Sequence, residues 1–225
     1  MLVKNWMSPN VIEVDADSSM QDAVRLLKEH NIRMLPVVSK ARLVGVVTDR
    51  DLKRASASDA TLLDVHELLY LITRIKVNSI MTRNPITVRP ELTIEETAQI
   101  LLESKISGAP VIDSREKVVG IITQTDIFRV LIALTGVSNQ GLQFALRTED
   151  RSGSIKELAD VVRKFGGRII SILTSYDRVP NGYRKVYIRA MGLDRRHIET
   201  VIRELGEVAT PLYFVDHREN RREIY

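Results

Sequence analysis

A chain of 225 residues, 44% of them hydrophobic and 28% charged, has the composition of one large globular domain or two small ones. It contains no cysteine, which excludes disulfides, thiolate metal sites and cysteine nucleophiles, and a cytoplasmic setting is the simplest reading. A formal charge of +4, interleaved with acids, is too small to point to nucleic acid, and no apolar run approaches the roughly 18 residues of a membrane span.

The opening MLVKNWMSPN lacks the long apolar core of a signal peptide. An extended piece over 11–14 leads to an amphipathic helix with Met20, Ala23, Val24 and Leu27 on its apolar face, started by a capping-box pair, Ser19 and Asp22. Two β-rich stretches follow, 34–38 and 43–47, and then VGVVTDRDLKR, residues 44–54. There a Gly and an apolar run read as a buried strand, and Thr48 opens a helix with Asp51 three residues on. Residues 64–77 have apolar spacing suited to a connecting helix; His66-Glu67 within it lacks the second His at i+4 that a zinc-protease helix needs.

The plan then repeats. An extended piece over 86–88 precedes a helix capped by Thr93 and Glu96, with Ile94, Ala98, Leu101 and Leu102 as its apolar positions. Strands over 109–112 and 118–122 follow, and VGIITQTDIFR, residues 119–129, returns with Thr123 and Asp126 at the helix start. Met7 lines up with Met81, and the register holds through Pro36-Val37 against Pro110-Val111. It slips by one residue before Gly45 meets Gly120, which marks a turn of variable length at 39–42 against 113–117. Two such units are expected to pack on each other and complete one core.

Beyond residue 137 the pattern changes. Strand 142–147, helix 154–165, a Gly166-Gly167 turn, strand 169–175, a Pro180-Asn181-Gly182 turn, strand 185–191, helix 194–205 stopped by Gly206, and strand 208–215 give the order βαββαβ. The tail over 217–222 reads as a solvated surface.

Thr-x-x-Asp before an apolar run is a capping box, so a plain helix cap is one reading of both copies. Duplication in register, the preceding Gly-apolar strand and the basic residues Arg50, Lys53, Arg54 and Arg129 favour a second. A carboxylate can accept hydrogen bonds from two neighbouring ribose hydroxyls, and a helix N-terminus with nearby Arg favours phosphate.

On these residues the first part of the chain, residues 7–134, resembles a tandem pair of CBS domains, and the fold class expected is α/β and α+β. The matching positions are Gly45 to Asp51, Gly120 to Asp126, Pro36-Val37, Pro110-Val111, and the openings Trp6-Met7-Ser8 and Ile80-Met81-Thr82. The resemblance implies two clefts for AMP, ADP, ATP or a related adenosyl ligand, used as a regulatory ligand and not as a catalytic cofactor. Thr48, Asp51, Thr123 and Asp126 would hold ribose; Arg50, Lys53, Arg54 and Arg129 would hold phosphate; Val11, Ile12, Glu13, Leu35, Pro36, Pro85, Ile86, Thr87, Ala109 and Pro110 would frame adenine. Arg50 and Lys53 align with Thr125 and Phe128, so the first cleft is expected to prefer the more phosphorylated nucleotide. The final segment resembles an ACT domain through Asp150, Arg151, Ser152, Gly153 and Ser154, which implies an amino-acid or other small-molecule loop, or pairing of subunits. Ser152 and Arg168 depart from that family's pattern.

The expected domains are 1–62, the first repeat; 63–137, a connecting helix and the second repeat; and 138–225, the ACT-like domain. The CBS-CBS-ACT order resembles bacterial acetoin-utilisation accessory proteins and implies a regulatory role without fixing the regulated protein. A homodimer is expected because both resembled modules commonly pair, and neither nucleic acid nor membrane is expected as a partner, since no helix has a basic face and no apolar run is long enough. A constitutive oligomeric scaffold with vestigial clefts is the alternative. An enzyme is disfavoured, because His30, His66, His197 and His217 are scattered and neither a nucleophile elbow nor a phosphate loop stands out.

Overall fold

Each repeat is entered through a capped helix. The computed structural model describes residues 1–59 and 73–225. The connecting helix expected over 64–77, with His66-Glu67, lies largely outside the described residues. In the first repeat a two-residue strand, β1 (Val14–Asp15), leads to helix α1 (Met20–Glu29), the hairpin β2 (Met34–Ser39) and β3 (Arg42–Thr48), and helix α2 (Asp49–Asp59). After the short turn α3 (Val77–Ile80) and β4 (Thr82–Arg83), the second repeat supplies α4 (Ile94–Glu103), β5 (Gly108–Ile112), β6 (Val118–Thr123) and α5 (Gln124–Thr135).

Both expected capping boxes form. Ser19 Oγ accepts from the Asp22 N–H at 3.1 Å while the Asp22 carboxylate accepts from the Ser19 N–H at 3.2 Å. Thr93 and Glu96 make the same reciprocal pair at 3.1 and 2.7 Å. The apolar face of α1 buries Met20, Ala23 and Leu27. On α4 one assignment is corrected: Leu102 is 76% exposed, and Thr97 takes the inward place because its hydroxyl is satisfied by the Thr93 carbonyl at 2.9 Å.

The first sheet has the order β1-β2-β3-β4, with β1 parallel to β2 and the other pairs antiparallel. β5 and β6 form the second hairpin. Isolated bridges complete the likeness: Val88 pairs in parallel with Val111 as Val14 does with Val37, and Ser8 pairs with Ile121 as Thr82 does with Val46. The ordered strand starts at Val14, and only a bridge forms at Val88, so the extended pieces expected over 11–14 and 86–88 are shorter than their sequence signal.

These pairings show that the repeats exchange their openings. The Val3 N–H donates to Leu92 O at 2.9 Å, the Ile94 N–H to Met1 O at 2.8 Å, and Val3 is fully buried. In return the Met20 N–H donates to Ile75 O at 2.8 Å, and β4 lies on the edge of β3. Both crossings are tight at a glycine, against fixed backbone at Gly45 and against a methionine side chain at Gly120. A Cβ at Gly45 would sit 2.5 Å from Met81 Sδ, and one at Gly120 would sit 2.4 Å from Met7 Sδ. The one-residue slip of the sequence repeat falls at the hairpin turns, Lys40-Ala41 with both residues at positive φ, and the longer 113–117 turn held by Asp113 Oδ1.

The chain divides into two compact units, Met1–Phe128 and Arg129–Tyr225, the division falling inside α5. The second unit contains β7 (Leu142–Glu149), α6 (Ser154–Lys164), β8 (Arg168–Ser175), β9 (Tyr183–Met191), α7 (Ile198–Val208), β10 (Thr210–Asp216) and β11 (Arg221–Ile224). The sheet order is β11-β10-β7-β9-β8, antiparallel throughout. Leu142, Phe144, Leu146, Val186, Ile188 and Phe214 pack from one sheet face against Leu158, Val162, Val201 and Leu205 of the two helices.

Both boundaries of α7 are corrected here. Asp194 caps a 3-10 turn, Arg195–His197, so α7 begins only at Ile198. Gly206 does not stop that helix, which runs to Val208; Ala209 turns extended at φ −156°, and Pro211 follows. The tail is exposed from Arg218 to Arg222, as its solvated reading expects, and from Arg221 it also forms β11, an edge strand on β10.

Candidate functional site

The last residue of β3 is Thr48, and α2 starts immediately after it, so the strand delivers the threonine to a helix N-terminus. Asp51 is 8% exposed. Its Oδ2 accepts from the Thr48 N–H at 3.0 Å and from Thr48 Oγ1 at 2.7 Å, while the Asp51 N–H donates to Thr48 Oγ1 at 3.3 Å. In the second copy β6 ends at Thr123, and Asp126, 3% exposed, repeats the three bonds at 2.9, 2.7 and 3.4 Å. The cap reading and the ligand reading therefore describe the same atoms. Each threonine–aspartate pair closes a helix start and holds a buried carboxylate in one orientation.

A carboxylate offers about four acceptor positions, and Oδ2 of each Asp already takes two donors from its threonine. In the first copy Arg54 Nη2 donates to Asp51 Oδ1 at 2.9 Å. The Arg54 side chain is 75% exposed, so an incoming hydroxyl can displace it without unpacking the core. Lys53 reaches Asp49 at 3.5 Å, and Arg50, on the same turn, is exposed. Arg129 is exposed on α5.

Strand register brings the residues expected to frame adenine to the same ends. Met34 pairs with Thr48, placing Leu35 and Pro36, both buried, next along the strand from the threonine. Because β1 runs parallel to β2, the approach to β1, with Val11 and Ile12 half-buried and Glu13 exposed, lies along the same side. The second copy places Gly108 opposite Thr123, Ala109 and Pro110 buried beside it, and Pro85, Ile86 and Thr87 on the parallel approach to Val88. Of these last three only Ile86 is largely exposed, at 43%.

In the second unit the 150–154 segment forms the turn into α6. Gly153 sits at φ +88°, which a side chain would strain, and Ser154 is 1% exposed. Arg151 is engaged by Glu157 through two bonds of 2.8 and 2.6 Å, and that carboxylate raises the guanidinium pKa. Asp150 pairs with Arg184 Nε at 3.4 Å, and Arg184 Nη2 donates to Ser154 Oγ at 3.0 Å. Arg184 thus ties the turn to β9. A lone Arg in an alternating strand carries no motif signal, so sequence reasoning passes over it. Ser152 and Gly153 are exposed. Among the described residues no three His, Asp or Glu side chains gather as a metal site would need.

Two interlocked α/β repeats, each closing a strand on a Thr-x-x-Asp helix start, define a duplicated module with two equivalent polar ends. The chain belongs to the CBS-domain family, whose model matches residues 3–58 and 77–133. It is 32% identical over 133 residues to a CBS domain-containing protein of Dictyostelium discoideum, covering 59% of this chain and 92% of that protein. Among solved structures, CBSX2, a protein of Arabidopsis thaliana, in complex with AMP is 34% identical, with a TM-score of 0.50 over 60% of this chain and 98% of that one. The CBS domain pair of protein MJ0100, in complex with 5′-methylthioadenosine and S-adenosyl-L-methionine, is 32% identical with a TM-score of 0.51, over 58% and 99%. An acetoin utilization protein of Vibrio cholerae, described as putative, shares the fold at 24% identity and a TM-score of 0.51, over 62% and 96%. The chain is also 37% identical over 125 residues to inosine-5′-monophosphate dehydrogenase of Korarchaeum cryptofilum, where the match spans 56% of this chain and 23% of the enzyme.

Proposed function

We propose that this protein is a regulatory sensor of adenosyl ligands. The observation that carries the reading is the pair of buried carboxylates, Asp51 and Asp126, each fixed by its threonine at a helix start, on a fold whose relatives were solved with AMP and with S-adenosylmethionine. Thr48, Asp51, Thr123 and Asp126 hold ribose. The adenine lies against Val11, Ile12, Leu35 and Pro36 in one cleft and against Pro85, Thr87, Ala109 and Pro110 in the other. Arg50, Lys53 and a displaced Arg54 take a longer phosphate chain in the first cleft, and Arg129 serves the second. The second unit, read as an ACT domain, either senses another small metabolite at the 150–154 turn or pairs subunits into a homodimer. Ligand occupancy regulates a partner protein only as far as the ligand binds two arrangements of the protein unequally.

Calorimetry with AMP, ADP, ATP and S-adenosylmethionine tests this. Asp51→Ala removes a charged acceptor worth roughly 1.5–3 kcal/mol and is expected to weaken one site about tenfold or more while leaving the other intact. Asp126→Ala should do the reverse. With Asp126 disabled, ATP should bind the remaining site more tightly than AMP. No saturable heat from any adenosyl compound would favour the constitutive scaffold instead.

A further inference from the structure

The face of the second unit's sheet that points away from α6 and α7 carries a charge with no counter-ion. Side chains alternate along a strand, so with Leu142, Phe144 and Leu146 facing the helices, Gln143, Ala145 and Arg147 face the other way. Across the ladder they meet Arg189, Tyr187 and Lys185 of β9, while Val215 and Tyr213 of β10 stand opposite Gln143 and Ala145. Arg189 is 5% exposed. Its Nη2 donates to Gln143 Oε1 at 2.9 Å, and its Nη1 is buried without a hydrogen-bond partner. Gln143 is engaged on both sides: Oε1 also lies 3.5 Å from His217 Nε2, and one N–H of Nε2 donates to the Tyr213 hydroxyl at 3.3 Å. That leaves the hydroxyl proton of Tyr213 to be given elsewhere. The rings of Tyr187 and Tyr213, 6.4 Å apart, wall the place.

A buried guanidinium held only by a neutral amide is costly, and buried charges are ordinarily paired. Here the neighbours make the imbalance worse. His217 is held toward its neutral form by burial and then by Arg189 and Arg222, and burial also pulls Arg189 down from the usual guanidinium range. We propose that this sheet face binds a small monocarboxylate at Arg189, beside Ser171, whose hydroxyl donates to the Thr135 carbonyl at 3.0 Å. Its two oxygens dock on the Nη1–Nη2 edge of Arg189, the geometry in which a planar fork takes a carboxylate. Tyr213 donates a further bond, and a short apolar tail rests on the outer faces of the tyrosine rings, which at 6.4 Å leave no gap between them. A single negative charge balances the single buried cation; a dianion would leave net charge in a desolvated place. The site is separate from the nucleotide clefts and does not depend on that reading.

The test is calorimetric titration of the full-length protein, in low-salt buffer free of carboxylates, with sodium acetate, sodium propionate and sodium phosphate. Both monocarboxylates are expected to saturate one site per chain, propionate more tightly, with phosphate weaker than either. Arg189→Gln should raise Kd at least about tenfold. Arg147→Gln, on the same face about four residues along β7, should leave it unchanged, which separates a built site from diffuse attraction. In carboxylate-free buffer the thermal midpoint of Arg189→Gln should equal or exceed that of the parent; if this variant does not fold, Tyr213→Phe reads the same weakening of binding. Absence of saturable heat, phosphate binding as tightly as acetate, or unchanged affinity in Arg189→Gln would overturn the assignment. So would a change of sedimenting mass in Arg189→Gln without any acetate effect, because the carboxylate would then belong to another protein chain.

Discussion

Four side chains, Thr48, Asp51, Thr123 and Asp126, close two helix starts with one set of bonds, and in the proposed function the same bonds hold a carboxylate for a hydroxylated ligand. Stability and affinity should therefore fall together when either member of a pair is lost. The two glycines upstream, Gly45 and Gly120, separate these effects. At Gly120 the three atoms nearest an added Cβ all belong to Met7, a flexible side chain that can move aside. At Gly45 it meets Met81 and also the Thr82 carbonyl at 2.9 Å, which backbone pairing holds in place. Gly45→Ala should cost about 1–3 kcal/mol by overpacking, and Gly120→Ala should cost less. Pairing Gly120→Ala with Met7→Ala should recover part of that loss in urea denaturation, whereas Gly45→Ala with Met81→Ala should recover little.

At the scale of elements, the first-repeat hairpin turns through Lys40 and Ala41, both with positive φ, a conformation that suits Asn and Gly far better. Replacing the pair with Asn-Gly should stabilise the protein by roughly 0.5–1 kcal/mol, seen as a higher denaturation midpoint at unchanged slope. Helix and turn caps predict the acid behaviour. Asp22 and Glu96 are held below the usual carboxylate range by hydrogen bonds from Ser19 and Thr93, and Asp194 is pushed down to about 2 by Arg196. A lowered folded pKa gives stability that is present above the unfolded value and lost as pH falls through the folded one. Stability should thus hold from neutrality to about pH 5 and decline between about pH 4 and 2. Asp194→Asn should flatten the lower part of that decline.

For the whole molecule, much of the fold and of the candidate site is legible in the amino-acid sequence. The Thr-x-x-Asp duplication, the capping pairs and the βαββαβ element order all rest on local signals, spacing and turn residues, that act within a few positions. What the sequence hides is non-local. No pattern in MLVKNWMS says that Val3 will be buried against the second repeat, and Thr97 belongs inward only because the Thr93 carbonyl satisfies it. Arg189 and Arg184 look like ordinary strand cations until the ladder gives them neighbours. The exchange of openings makes its own prediction. Deleting residues 1–8 removes fully buried Val3, worth about 1.5–3 kcal/mol, together with the bonds to Leu92 and Ile121. Hydrogen exchange should then quicken first in α4, β5 and β6, the repeat more distant in sequence, and only later in α1 and β2.

That interlocking also bears on how the chain is made. Synthesis runs from the N-terminus, so Met1 to Ser8 must wait for Ile121 to emerge before their last partner exists, and β3 waits for β4. Neither repeat can finish its sheet alone while the ribosome is still working. Contacts of such sequence separation form slowly. A nascent chain halted before residue 121 is therefore expected to remain sensitive to protease along its first residues, and to become resistant in one step once β6 is released.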